Sequence, residues 1–174
     1  MQIQDLNAIL PAEFSDNARV WIYQSSRPFI EKEEAELNEQ LEQFYTQWQS
    51  HGDPVKGWAK LLFRQFVVVM ADETDITVSG CSTDSSVRII KSIERQYSVN
   101  MFDRMMLTFL VKDKAEMLPL GQVQYAIDKG YINKDTPLFN NTVLTKSELI
   151  NNWLIPAGNS WLARQVNFTA VPNN

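Results

Sequence analysis

The sequence predicts an α+β (or α/β) fold. The expected form is one domain over residues 1–166, with a mixed sheet of about four to five strands and about four helices. A loose tail is expected over 167–174. Three observations carry this. The run Phe66-Val67-Val68-Val69-Met70 has no polar position, as in a central strand buried on both faces. Leu37, Leu41, Phe44 and Trp48 recur at i, i+4, i+7 and i+11, one apolar stripe of a helix. Val87, Ile90 and Tyr97 form a second stripe, with Arg88, Lys91 and Arg95 on the other side.

The elements follow in order. Arg19-Val20-Trp21-Ile22-Tyr23-Gln24 is rich in β-branched and aromatic residues and reads as the first strand, ended by Arg27-Pro28. Glu31, Glu33, Glu34 and Glu36 crowd the start of the next helix, where negative charge suits the dipole. That helix stops near Ser50-His51-Gly52. Residues 61–71 are expected as one strand, and 84–97 as a helix capped by Ser82, Thr83 or Asp84. Residues 105–111 form a further strand, and Lys112-Asp113-Lys114 a hairpin turn into 116–118. A short helix runs to Lys129, where Gly130 supplies a left-handed cap. Residues 136–143 read as a strand. Thr145-Lys146-Ser147-Glu148 has capping-box spacing and opens a helix carrying Leu149 and Trp153, which Pro156-Ala157-Gly158 breaks. Ser160 to Arg164 closes the folded part.

Composition narrows the function class. At 174 residues and 44% hydrophobic content the chain can bury a sizeable core. A net charge of −5 argues against a nucleic-acid binder, which needs a basic surplus to displace counterions. One cysteine excludes an intramolecular disulfide and any multi-cysteine zinc site. Met1 to Leu10 has no positive charge ahead of its apolar residues, unlike a secretory signal, and the longest apolar run, Phe66 to Ala71, is far shorter than the ~20 residues a membrane span takes. The expectation is a soluble, cytoplasmic protein, with no membrane association, no metal and no cofactor.

The stretch Ser79-Gly80-Cys81-Ser82-Thr83-Asp84-Ser85-Ser86 concentrates the candidate chemistry. It reads as strand, tight turn and helix start, where free backbone N–H groups attract anions. Gly80, Cys81, Ser82, Thr83 and Asp84 are the candidate ligand-binding residues, joined by Arg19, Asp103 and Arg104, since arginines at strand ends clamp carboxylates or phosphates. The bland alternative is plain helix capping and a loop-tying Asp–Arg pair. Cys81 is also the candidate nucleophile, its thiol activated by the helix start, with His51, the sole histidine, as its base. A buried cysteine packing a turn is the alternative. Asp72, with Glu73 and Asp75, stands just past the apolar strand, where a carboxylate cluster either holds a cation or is simply solvated. Arg88, Lys91 and Arg95 make a basic stripe suited to an acidic partner or RNA, though with Glu94 interleaved in an acidic protein a solvated helix face is the favoured reading. Trp153 and Trp161 are expected as core anchors.

Gly52-Asp53-Pro54-Val55-Lys56-Gly57 has two glycines at P-loop spacing. Trp58-Ala59 stands where lysine and a hydroxyl are required, and Pro54 removes an N–H from the cradle.

Four segments together carry a family resemblance. They are Ala18 to Gln24, Ser79 to Val87, Met101-Phe102-Asp103-Arg104-Met105, and Phe139-Asn140-Asn141 through Trp153, Pro156, Ser160-Trp161 and Arg164. Over residues 15–165 the chain resembles a family of small, uncharacterised bacterial proteins commonly labelled "ABC transporter ATPase". The resemblance implies a soluble α/β protein and brings no assigned activity, cofactor or catalytic residue. With the P-loop incomplete, ATPase activity is not expected. The function that follows is a non-enzymatic module binding a small anionic ligand or a protein partner at Gly80–Ser86. The alternative is a cysteine-dependent enzyme or redox-responsive protein using Cys81.

Overall fold

Phe66–Asp72 is buried at all seven positions, and the first part of the chain is organised around it. The computed structural model describes residues 6–75, 78 and 80–169, the side chains of 81–83 excepted. The chain is α+β and divides into two compact units, Met1–Asp103 with Thr142–Ile150, and Arg104–Asn141 with Asn151–Asn174. Along the first unit run α1 (Leu6–Ile9), β1 (Arg19–Gln24), α2 (Glu31–Thr46), β2 (Gln49–Ser50), β3 (Asp53–Pro54), β4 (Lys56–Leu62), β5 (Phe66–Asp72) and α3 (Gly80–Tyr97). The second holds β6 (Met106–Val111), β7 (Lys114–Pro119), α4 (Val123–Asp128), β8 (Pro137–Phe139) and, after α5 (Lys146–Asn152), β9 (Leu154–Pro156). No helix of the described residues is long and apolar enough to cross a membrane.

In the first unit β5 lies between β1 and β4, antiparallel to both, with Met70 opposite Val20 and Trp58. Val67, Val69 and Ala71 join Leu37 and Leu41 of α2 and Ile90, Ile93 and Tyr97 of α3 in one apolar cluster. Phe66, Val68 and Met70, on the opposite face of the strand, are also fully buried. The expectation of a strand covered on both faces holds.

The expected single strand over 61–71 is instead a hairpin, turning at Phe63-Arg64-Gln65. Phe63 and Arg64 adopt left-handed φ angles of 52° and 56°, which carry a steric cost for side chains with a Cβ. The turn is held from outside. The Phe29 N–H donates to Arg64 O at 2.7 Å, Arg64 Nε donates to Phe29 O at 2.7 Å, and the Ser25 N–H donates to Gln65 O at 2.8 Å. None of these partners is local in sequence, so no glycine or asparagine marks the turn.

Among the described residues the strands fall into three antiparallel sheets, β1-β5-β4, β2-β3 and β7-β6-β8-β9, rather than one mixed sheet. Tight turns at 51–52, 63–65 and 112–113 join consecutive strands, and a turn that short permits only antiparallel neighbours.

In the second unit Leu107 and Phe109 of β6 pack with Val123, Ala126 and Ile127 of α4, Leu138 of β8 and Leu162. The hairpin turn at Lys112-Asp113 is as expected, with φ of 49° and 62° and Val111 opposite Lys114. Gly130, at φ 72°, ends α4: its N–H donates to Ile127 O, and the Tyr131 N–H reaches back to Ala126 O, both at 2.9 Å. This is the paired closure of a left-handed helix cap.

The expected strand over 136–143 shrinks to three residues. The chain turns at Asn140, whose N–H donates to Trp153 O at 2.6 Å, while Asn141 Oδ1 accepts the Trp153 indole N–H at 3.0 Å. Trp153 is fully buried against Phe139 and lies just past the end of α5. The capping box is shifted by one residue on one side. Thr145 Oγ1 accepts the Glu148 N–H at 3.2 Å, but the Glu148 carboxylate accepts the N–H of Leu144, at 2.7 Å. Trp161 packs half-buried on the second unit's core, so both tryptophans anchor as expected.

Candidate functional site

α3 begins four residues earlier than expected, so Gly80–Ser86 forms its first turns and not a loop ahead of it. Ser86, Ile90, Ile93 and Tyr97 recur at spacings of four, three and four, and all are buried. This stripe fixes the rotation of the helix. Arg88, Lys91 and Arg95 then fall on the opposite, solvent-facing side.

A depression of ≈ 410 Å³ lies against that side, lined by Arg88, Lys91, Glu94 and Arg95. It is shallow and open to solvent along the exposed face of the helix. Arg88 Nη2 donates to Ser85 Oγ at 2.8 Å. Among the described residues no carboxylate lies within ion-pairing distance of Arg88, Lys91 or Arg95, whereas Arg27, Lys32, Lys56 and Arg64 all have one. Like charges three and four residues apart on a helix repel by about 0.2–0.5 kcal/mol per pair, a repulsion that Asp84, four residues before Arg88, and Glu94, three after Lys91, offset in part. Glu94 is half-buried, and its Oε1 accepts the Met101 N–H at 2.7 Å.

The other expected site residues are dispersed. Gly80 is the exposed first residue of α3, and a Cβ added there meets nothing within 4 Å, so no close approach requires the glycine. The side chains of Cys81, Ser82 and Thr83, and all of Ser79, lie outside the described residues. Asp84 is an exposed helical residue. Arg19 is exposed at the start of β1, its guanidinium 4.7 Å from the centre of the Trp21 ring. Asp103 and Arg104 are exposed where the chain passes from the first unit to the second, Asp103 ending one and Arg104 beginning the other.

His51 is exposed in the two-residue turn between β2 and β3, at φ 53°, followed by Gly52 at φ 93°. Two successive left-handed residues match the twist of a tight hairpin. The P-loop-like segment 52–57 is therefore a turn and two strand pieces, with no helix start for a phosphate to sit against.

Asp72 is not solvated but buried and ion-paired. Its side chain is 2% exposed. Oδ2 accepts Lys56 Nζ at 2.7 Å and the Ser15 N–H at 3.1 Å, while Oδ1 accepts the Thr74 hydroxyl at 2.6 Å and its N–H at 3.2 Å. Burial, the largest single influence, pushes this carboxyl up. The donors from Lys56, Thr74 and Ser15 together outweigh it and hold the group well below the ordinary carboxylate range. Glu73 turns away, accepting the Val78 N–H at 2.7 Å. Among the described residues no three His, Cys, Asp or Glu side chains converge as a metal-ligand set.

Lys146 was not singled out from the sequence. It is 6% exposed, and its ammonium donates to the carbonyls of Pro11 and Phe14 at 2.8 and 2.7 Å. A lysine in the first turn of a capped helix looks like any solvated lysine, so no local signal distinguishes it. The α3 cluster was visible as an i, i+3, i+7 pattern; its lack of carboxylate partners was not. Comparison of the chain with protein-family models, with curated proteins and with solved structures finds no match.

Proposed function

We propose that this protein is a cytoplasmic, non-enzymatic module that binds a small anionic ligand along α3. The observation that carries the proposal is the ≈ 410 Å³ depression lined by Arg88, Lys91 and Arg95, three cations with no carboxylate partner among the described residues. This places the site on the solvent-facing cations of α3 and not at the Gly80–Ser86 turn that the sequence suggested. Kinship with the small bacterial family labelled "ABC transporter ATPase" is part of the same proposal and rests on the ordered motifs from Ala18 to Arg164.

Pyrophosphate is the first probe. It is expected to raise the thermal midpoint of the full chain, with an affinity that falls as salt rises, because the screening length is only about 8 Å at physiological ionic strength. Replacing both Lys91 and Arg95 by alanine is expected to weaken binding by about tenfold or more, ~1.4 kcal/mol. These side chains are exposed, so the fold should persist. Absence of any calorimetric or thermal response at low salt, to pyrophosphate and to bisphosphates with more widely spaced phosphates alike, would overturn the proposal.

A further inference from the structure

The depression on α3 is not lined by cations alone. Glu94 contributes to the same wall, and a carboxylate facing a bare polyanion works against binding. Glu94 is also held in place. Its Oε1 accepts the Met101 N–H at 2.7 Å and its backbone oxygen accepts the Val99 N–H at 3.2 Å. Its second carboxylate oxygen takes no hydrogen bond from a described residue. A ligand matching the whole wall therefore brings anionic groups for Arg88, Lys91 and Arg95, and a hydrogen-bond donor for Glu94. That donor is a neutral hydroxyl, since an ammonium would meet three cations. Arg88 and Arg95 are seven residues apart, about 10 Å along the helix axis. A single phosphate would have to draw both guanidiniums in toward Lys91, whereas two phosphates meet them where the helix places them.

We propose that the α3 depression binds a polyhydroxylated small molecule carrying two phosphate groups, with the phosphates on Arg88, Lys91 and Arg95 and a hydroxyl donating to Glu94. This rests on the anion-binding role of α3 and goes further by naming the ligand class.

The test compares two probes of equal charge by calorimetry on the full chain, fructose 1,6-bisphosphate and 1,6-hexanediol bisphosphate, which lacks the hydroxyls. The sugar bisphosphate is expected to bind about tenfold tighter. The Glu94→Gln variant keeps an oxygen for the Met101 N–H but replaces the second oxygen with N–H donors. The hydroxyl then meets an amide donor only by accepting, and the charge-assisted bond is lost, so the preference is expected to shrink severalfold while the hexanediol compound binds as well as or better than before. Equal affinities in the unmodified protein, or an undiminished preference in Glu94→Gln, would overturn the ligand class and leave anion binding standing. If neither compound binds, both ideas fall together. Should the variant not fold, the comparison in the unmodified protein decides alone.

Discussion

Asp72 shows how much one buried side chain can organise. Four donors from Lys56, Ser15 and Thr74 converge on its two oxygens, tying the end of β5 to the segment before β1. In Asp72→Asn the charge is gone and one oxygen becomes a donor facing donors. Hydrogen bonds to charged groups contribute about 1.5–3 kcal/mol, so a loss of roughly that size is expected in urea unfolding at neutral pH. The pH dependence has a definite sign. The folded pKa lies below the unfolded value of ~3.9, so the stabilisation is complete above about pH 4 and declines as pH falls toward the folded pKa. The unmodified protein should therefore lose stability below pH 4 more steeply than Asp72→Asn, and parallel acid profiles would refute this account. Three adjacent acids were legible in the sequence. That one is buried and saturated while its neighbours are not depends on where residue 15 and residue 56 are brought, which local pattern does not encode.

At the scale of elements, packing decides what propensity leaves open. Trp48 follows α2 and lies over β4 at Gly57, where an added Cβ would sit 2.7 Å from Trp48 Cε3 and 3.6 Å from Tyr45 Cβ. Trp48 is itself wedged against Phe44 and Trp21, with ring centroids 5.1 and 6.2 Å away, so it has little room to yield. Gly57→Ala is expected to cost about 1–3 kcal/mol, the range for overpacking a core, seen as a lowered thermal midpoint and a changed near-ultraviolet spectrum. An unchanged midpoint would mean the indole shifts freely. The helices were readable because their periodicity is a local property: α2 and α3 show their buried stripes directly. The hairpin at Phe63-Arg64 was not, because its left-handed residues are stabilised by Phe29 and Ser25 and not by their own backbone preference. For the same reason residues 61–71 read as one strand, their apolar content being equally compatible with two.

On the scale of the whole molecule, the first unit is closed by chain that returns after most of the second has been made. The Val20 N–H donates to Leu144 O, and the N–H groups of Lys146 and Ser147 donate to Ala18 O and Asp16 O, each at 2.9 Å. The Lys146 ammonium adds its bonds to Pro11 and Phe14. Removing that ammonium in Lys146→Met leaves the buried Phe14 carbonyl without a donor and Pro11 O with only the Phe14 N–H at 3.3 Å, at about 1–3 kcal/mol for an unmet buried group. The expected result is lower stability together with faster proteolysis within residues 11–18. Equal cleavage rates in the variant and the parent would show that the backbone bonds alone hold the segment. Such contacts join positions more than 130 residues apart, as the Lys146–Phe14 pair does, and no pattern within a window of the sequence reports them. The two amphipathic helices, the buried strand, the helix cap at Gly130, the cationic stripe of α3 and with them the mixed helix-and-strand class are legible locally, because each follows from residues a few positions apart. The pairing of the described strands into three antiparallel sheets, the burial and satisfaction of Asp72 and Lys146, and the open depression that Arg88, Lys91 and Arg95 border with Glu94 arise only in the folded chain. Those outcomes depend on which distant segments meet, and that is settled by burial and hydrogen-bond satisfaction over the whole chain.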